Sequence, residues 1–267
     1  MKKPVGIFDS GIGGLTVLRE IKRLLPLEDT LYLGDTARVP YGTKSKETVI
    51  RYAVENARYL LNKDIKLLVV ACNTASAFAL EILRQTLSIP VVGVIEPGAA
   101  RAVAVARTKR VGVVGTAGTI RSGAYFDAIK RHDQQVTVFT KPCPLFVPLA
   151  EEGWTDNNVA RMTAELYLKE LKEELIDTLV LGCTHYPLLK EVIGEVMGEN
   201  VVLVDSAEET AAEVRRALEE EQLLNTDGEV AGRHLFYVTD SPGRFIAVGR
   251  RFLGSLLDQV KLATVER

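Results

Sequence analysis

Two cysteines in this chain close near-copies of one local pattern. VVACNTASA (residues 69–77) and VLGCTHYPL (residues 180–188) each run from apolar residues through a small residue to a cysteine. Cys72 and Cys183 then lead into two polar side chains, Asn73-Thr74 and Thr184-His185. A single cysteine at a strand end is most often a small buried hydrophobe. Two in matching positions suggest chemistry that uses two similar groups. Each follows a strand pattern, where helix N-terminal amides would lower a thiol pKa from its unperturbed ~8.5. His185 is the residue type that polarises or orients a thiol or a substrate.

Inverting a stereocentre suits such a pair. One group removes a proton from one face, the other delivers a proton to the opposite face, and the reverse reaction exchanges their roles. A metal site is the competing reading, because Cys72, Cys143, Cys183 and His185 could supply four ligands. Cys-x-His is an unusual zinc spacing, however, and no CxxC occurs. A Cys–His hydrolase needs one cysteine, not two. Cys143 lies between prolines in KPCPLF, has no twin, and reads as structural.

A third motif is DSGIGG, Asp9 to Gly14. Its glycines allow close backbone approach, and a following helix N-terminus favours an anion. It is not GxGxxG, and Asp9 would repel a phosphate. YGTKS (residues 41–45) is not a P-loop, since Thr43 separates Gly42 from Lys44. A tight strand-to-helix turn is the plainer alternative for DSGIGG.

The elements that must position these residues alternate. Short apolar β-branched runs at 5–8, 31–33, 67–70, 91–94, 111–114, 136–139, 179–181, 201–204 and 235–238 predict strands. Amphipathic stretches at 15–25, 46–61, 157–175 and 207–221 predict helices, the last with a Ser206/Glu209 capping box. Continuous apolar strands separated by helices predict α/β architecture with mainly parallel sheets. The pattern also repeats. Val5-Gly6-Ile7 matches Val111-Gly112-Val113 at an offset of 106, the cysteine motifs match at 111, and Val91-Val92 matches Val201-Val202 at 110. Two similar α/β domains related by a pseudo-two-fold would bring equivalent strand ends face to face across a cleft. The region after about Ala207 has no partner copy and either docks on one domain or bridges both. Its NTDGEVAGR (residues 225–233) is turn chemistry.

Composition narrows the classes. With 267 residues, 47% hydrophobic and 25% charged, the chain reads as a soluble globular protein. A net charge of −2 gives no bulk attraction for nucleic acid, and KRLLP and VGRRF are short solvated helix faces. The apolar run after Met1-Lys2-Lys3-Pro4 is too short for a signal h-region, and no run is long enough to span a membrane. Three distant cysteines make no disulfide framework, so the expected location is cytoplasmic.

The blocks GIFDSGIGGLTV, DTARVPYG, ACNTASA, GTAGTI, PLFVPLAEEG, LGCTHYPLL and YVTDSP, in this order, closely resemble the bacterial glutamate racemase family, within the aspartate/glutamate racemase superfamily. The resemblance covers nearly the whole chain. It implies cofactor-independent interconversion of L- and D-glutamate for peptidoglycan synthesis, with no metal. It implies that Cys72 takes the proton from D-glutamate and Cys183 from L-glutamate, assisted by Asp9 and His185 respectively. Substrate would be held by Asp9, Ser10, Tyr41, Gly42, Asn73, Thr74, Thr116, Thr119, Thr184 and His185, with Asp35 and Glu151 as secondary charged residues. The family fold implies a discontinuous first domain, residues 1–96 plus 208–267, a second domain, 97–207, and a homodimer. The rival readings are a racemase of aspartate or another acidic amino acid, and a non-catalytic dicarboxylate-binding protein. The second would have no use for paired thiols.

Overall fold

Runs that are apolar on both faces, each followed by an amphipathic stretch, form parallel strands joined by crossover helices. The computed structural model describes residues 3–226, 230–254, 257 and 259–265. Met1 and Lys2 of the rejected signal region, and Asp227-Gly228 of the turn motif, lie outside the described residues. The first run is β1 (Val5–Asp9), α1 (Leu15–Leu24), β2 (Thr30–Gly34), α2 (Lys46–Leu61), β3 (Leu67–Val70), α3 (Asn73–Thr86), β4 (Val91–Gly93) and α4 (Ile95–Val105). The second begins with β5 (Arg110–Gly115), α5 (Ala117–Arg121), α6 (Ala124–His132), β6 (Thr137–Pro142), α7 (Phe146–Glu152) and α8 (Asn158–Glu173). It ends with β7 (Thr178–Gly182), α9 (Lys190–Met197), β8 (Val202–Asp205) and α10 (Ser206–Glu220). Then come β9 (His234–Val238), α11 (Pro242–Leu253) and β10 (Val260–Leu262).

The strands form two parallel sheets, ordered β10-β9-β2-β1-β3-β4 and β6-β5-β7-β8. The order β2-β1-β3-β4 recurs as β6-β5-β7-β8, so the sequence repeat is a repeat in space. Val5 pairs with Leu67 as Val111 pairs with Thr178, which preserves the offsets of 106 and 111. The third offset differs. Leu68 pairs with Val91 and Leu179 with Leu203, so the spatial offset is 203 − 91 = 112 rather than 110. A slide of two residues keeps every side chain on its own face of the sheet.

The two copies exchange their last helices. α4 leaves the first sheet and packs on α6, β7 and β8 of the second. α10 leaves the second sheet and packs on α1 and β4 of the first. Ala99 and Ala102 of α4, Ala207 and Val214 of α10, and Leu18 and Ile21 of α1 therefore share one continuous core. α10 stands after β8 as α4 stands after β4, so the repeat extends past Ala207 to the end of α10. Its cap is also corrected. Asp205, not Ser206, is the N-cap, and its Oδ1 accepts from the Ala207 amide at 2.9 Å. The helix starts one residue earlier than the pattern suggested.

The segment without a partner copy does both things expected of it. β9 and β10 extend the first sheet, and α11 packs on α1 while reaching the second half through its arginines. β10, a three-residue edge strand, was not predicted, because VKL is too short to carry a period. The chain leaving α10 is tied to the first sheet by a buried ion pair. Lys66 Nζ lies 2.7 Å from Glu28 and donates to the Leu223 carbonyl at 2.6 Å. Glu28 accepts from the Asn225 amide at 2.7 Å. Glu28→Ala would strand a buried ammonium and is expected to cost about 3–5 kcal/mol in denaturant unfolding. A loss below about 1 kcal/mol would mean that water reaches Lys66.

Candidate active site

β1 delivers Asp9 at its carboxyl end, fully buried. The Gly11 amide donates to Asp9 Oδ2 at 2.8 Å, while Oδ1 is buried without a hydrogen-bond partner in the protein. Burial pushes the Asp9 carboxyl up, against the nearby His185 charge and the amides of Gly11, Gly14 and Ser10. The glycines of this turn have a use that the sequence did not disclose. A β-carbon on Gly13 would collide with Thr184 Oγ1 and His185 Nδ1. Position 13 has no room for a side chain because the second cysteine turn lies against it, while a β-carbon on Gly14 would meet Asp9 and Ala71.

β3 ends at Val70, and Cys72 is the N-cap of α3 with extended backbone, φ −70° and ψ 122°. Its carbonyl accepts from the Ser76 amide at 2.8 Å. Burial pushes the Cys72 thiol up to about 12, and the Asp9 charge adds to this, while Ser10 and the Ala75 amide oppose it. At neutral pH Cys72 is therefore a protonated thiol. The expected lowering by helix amides is present in kind and is outweighed by burial.

Cys183 directly follows β7, but no α-helix starts there. A 3-10 turn, Tyr186–Leu189, intervenes before α9. This thiol is served by a side chain instead: His185 Nδ1 lies 3.9 Å from Cys183 Sγ. His185 Nε2 lies 3.2 Å from Glu151 Oε1 on α7. Burial alone would depress the imidazolium. The hydrogen bonds to Cys183 and Glu151, with the charges of Cys183 and Asp9, outweigh it and raise His185 to about 10. Arg244 on α11 donates to Glu151 Oε2 at 3.2 Å, and Arg251 donates to the Glu151 carbonyl. Glu151 is thus held from both halves of the molecule.

Both cysteines, each 6% exposed, line one small cavity between the sheets. Ser10, Tyr41, Gly42, Asn73 and Thr74 line it from the first half. Thr116, Thr184 and His185 line it from the second. Thr119 stands just behind, in a ring of hydroxyls. Thr74 Oγ1 is 2.9 Å from Thr116 Oγ1 and 3.1 Å from Thr119 Oγ1, which are 3.0 Å from each other. Asn73 Nδ2 is buried without a hydrogen-bond partner in the protein. Asp9, below Ser10, is not on the cavity wall.

Asp35 is not on the wall either. It is fully buried and accepts from the Tyr41 hydroxyl, from Arg38 Nε at 2.7 Å and from Thr239 at 3.0 Å. Asn56 also donates to the Tyr41 hydroxyl at 3.0 Å. The Tyr41 hydroxyl is therefore committed to this network, while Tyr41 and Gly42 both line the cavity. Among the described residues no cluster of three His, Cys, Asp or Glu side chains is arranged to hold a metal ion. The Cys143 thiol donates to the Lys141 carbonyl at 3.6 Å.

Residues 8–214 match the family model described as Asp/Glu/Hydantoin racemase. The chain belongs to this racemase family. It is 66% identical over 264 residues to a glutamate racemase of Geobacter metallireducens, covering 99% of this chain and 97% of that one. Among solved structures it resembles glutamate racemase isoform RacE1 of Bacillus anthracis, at a TM-score of 0.93 and 40% identity over 99% of this chain and 97% of that one. It also resembles the Francisella tularensis glutamate racemase in complex with D-glutamate, at 0.93 and 37% over 99% and 98%.

For this racemase-family chain, the sequence missed the apolar wall of the cavity, Val39, Pro40 and Val147. Pro40 and Val147 lie inside the blocks DTARVPYG and PLFVPLAEEG, but apolar types carry no chemical signal. It also missed Arg244 and Arg251, which sit in an ordinary amphipathic helix. The His185 shift has a consequence for stability. Its folded affinity for a proton exceeds the ordinary value of 6.5, so the imidazolium stabilises the fold in full below that pH. The contribution is lost as pH rises through about 10. The unfolding free-energy gap between the wild type and His185→Gln should therefore be widest at or below about pH 6.5 and close towards about pH 10. A gap that is constant with pH would remove the charge from His185.

Proposed function

We propose that the chain racemises glutamate between its L and D forms with two thiols and without a cofactor. The observation that carries this reading is that two cysteines from opposite sheets line one cavity, each with its own polar partner. The name glutamate racemase on relatives up to 66% identical supports glutamate over aspartate as the substrate. From L-glutamate, Cys183 as thiolate takes the Cα proton, facing the His185 imidazolium. Cys72 then gives its own proton to the opposite face of the carbanion. The turnover ends with Cys183 protonated and Cys72 as thiolate, and solvent exchange resets the pair. From D-glutamate the roles reverse, with Asp9 beside Cys72.

The Cα–H of an amino acid is a weak acid. Without an electron sink, the site must stabilise the carbanion-like charge that spreads onto the α-carboxylate. Asn73 Nδ2 and the Thr74, Thr116 and Thr184 hydroxyls are the donors that suit this role. Burial strengthens each of them by excluding water. A binding protein for dicarboxylates would need such donors too, but not buried sulfurs with opposed acid–base partners.

Several finer statements belong to the same proposal. Residues 1–96 with 208–267 form one domain and 97–207 the other, a division supported by the exchange of α4 and α10 between the sheets. The product D-glutamate serves peptidoglycan synthesis, the location is cytoplasmic, and the working form is a homodimer, all on the family resemblance. No helix among the described residues is long and apolar enough to cross a membrane.

Cys72→Ala and Cys183→Ala should each lower racemisation by about 10²–10⁴-fold or more, with the fold intact by circular dichroism. Residual turnover above about a tenth in either variant would argue for a single base. Labelling tests the opposed faces directly. In D₂O, early product from either enantiomer should carry deuterium at Cα while recovered substrate stays mostly protiated. Each thiol holds only one hydrogen, and the donor has exchanged with solvent. Substantial protium in the earliest product would overturn the two-thiol arrangement.

A further inference from the structure

One buried hydroxyl outside the cavity wall connects the two cysteine turns. Tyr125, on α6, is 2% exposed. Its hydroxyl donates to Asn73 Oδ1 at 2.7 Å, and Asn73 is the residue after Cys72. Its ring lies against Gly182, the residue before Cys183: a β-carbon there would meet Tyr125 Cε2 at 3.0 Å. Ser206, the first residue of α10, stands beside the same hydroxyl. Gly98 of α4 leaves room for both, since a β-carbon there would meet Ser206 Cβ at 3.1 Å and the Tyr125 hydroxyl at 3.5 Å.

A phenol carries one proton and two lone pairs. The Tyr125 proton goes to Asn73 Oδ1. That fixes the Asn73 amide, oxygen towards Tyr125 and nitrogen away from it. The nitrogen is the buried donor that no protein group satisfies, on a residue that lines the cavity. Native proteins rarely leave such a group unpaired, and a carboxylate oxygen is the partner it suits. A flipped amide would turn its carbonyl towards that carboxylate and repel it.

We propose that Tyr125 is a positioning residue for racemisation, aiming the Asn73 amide nitrogen at the substrate carboxylate and spacing the Cys72 turn from the Cys183 turn. This rests on the racemase reading above. Tyr125 acts through Asn73 and through the Gly182 backbone, and does not meet the substrate itself.

Tyr125→Phe keeps the ring and removes the hydroxyl. Its kinetics on glutamate are to be measured alone and in an Asn73→Ala background, with circular dichroism as the check on folding. The expected result is a fall in kcat/KM of about tenfold, the size of one hydrogen bond, in the presence of Asn73. In the Asn73→Ala background the same change should cost nothing further, because the amide it aims is gone. Activity of Tyr125→Phe within about twofold of the wild type, or an equal loss in both backgrounds, would overturn the proposal. Should Tyr125→Phe fail to fold, a crystal structure of the wild type with D-glutamate decides: an Asn73 amide within hydrogen-bond distance of both the Tyr125 hydroxyl and a substrate carboxylate supports the relay, and an amide out of reach of either overturns it. A wild-type chain that does not racemise glutamate would overturn the racemase reading instead. Titration of Tyr125→Phe with D-glutamate would then decide the amide orientation alone, weaker binding supporting it and unchanged binding overturning it.

Discussion

Gly13 lies against Thr184 and His185 with no room for a side chain, and the geometry of the site depends on that contact. The two thiols come from different sheets. For both to face one carbon, two strand-end turns must meet backbone to side chain. Each such meeting has a small residue on one side. A β-carbon on Gly42 would lie 2.5 Å from Thr116 Cβ, and one on Gly118 would lie 2.9 Å from the Gly42 carbonyl. The exchange of α4 and α10 supports this approach from behind. It gives the two sheets a shared core, so that neither cysteine turn rests on one half alone.

The repeat makes the halves similar, and the chemistry needs them to differ. In the proposed two-thiol reaction one sulfur takes a proton while the other gives one. Burial and the Asp9 charge hold the proton on Cys72. Facing Cys183 is the His185 imidazolium, kept charged by its contacts with Cys183 itself and with Glu151. The local folds carry the same asymmetry. An α-helix starts immediately after Cys72, whereas Cys183 is followed by a 3-10 turn that places His185 back over the sulfur. A negative partner thus stands beside one thiol and a positive partner beside the other.

The repeat, the parallel strands and the paired cysteines were legible because each leaves a periodic or positional mark. Each of the nine apolar runs is a strand with bounds shifted by at most three residues, the largest shift at the end of β6; β10 is too short to leave a mark. Glycine and tyrosine positions have partners that sequence does not disclose, for physical reasons. Gly13 reads as a ligand turn because sequence cannot say that the neighbour filling its missing β-carbon lies 171 residues away at Thr184. Tyr41 reads as a substrate contact and lines the cavity, but sequence cannot say that its hydroxyl is held by Asp35 and Asn56, a partnership set by tertiary packing. Tyr125 reads as an ordinary core aromatic, and only the fold brings its hydroxyl to Asn73.

The cavity between the thiols is about 30 Å³, room for roughly two waters and less than an amino acid needs. The Thr74, Thr116 and Thr119 hydroxyls satisfy one another across the sheets. Those bonds are neutral, and charge-assisted bonds to a carboxylate are roughly twice as strong. On the proposed reading a substrate carboxylate would replace that ring as the partner of these hydroxyls, leaving none buried and unpaired. Asp9 Oδ1 and Asn73 Nδ2 differ from the threonines in having no internal partner to give up. Asn73 Nδ2, on a residue of the cavity wall, is the donor left for a carboxylate, whereas Asp9 Oδ1 lies off the wall beneath Ser10.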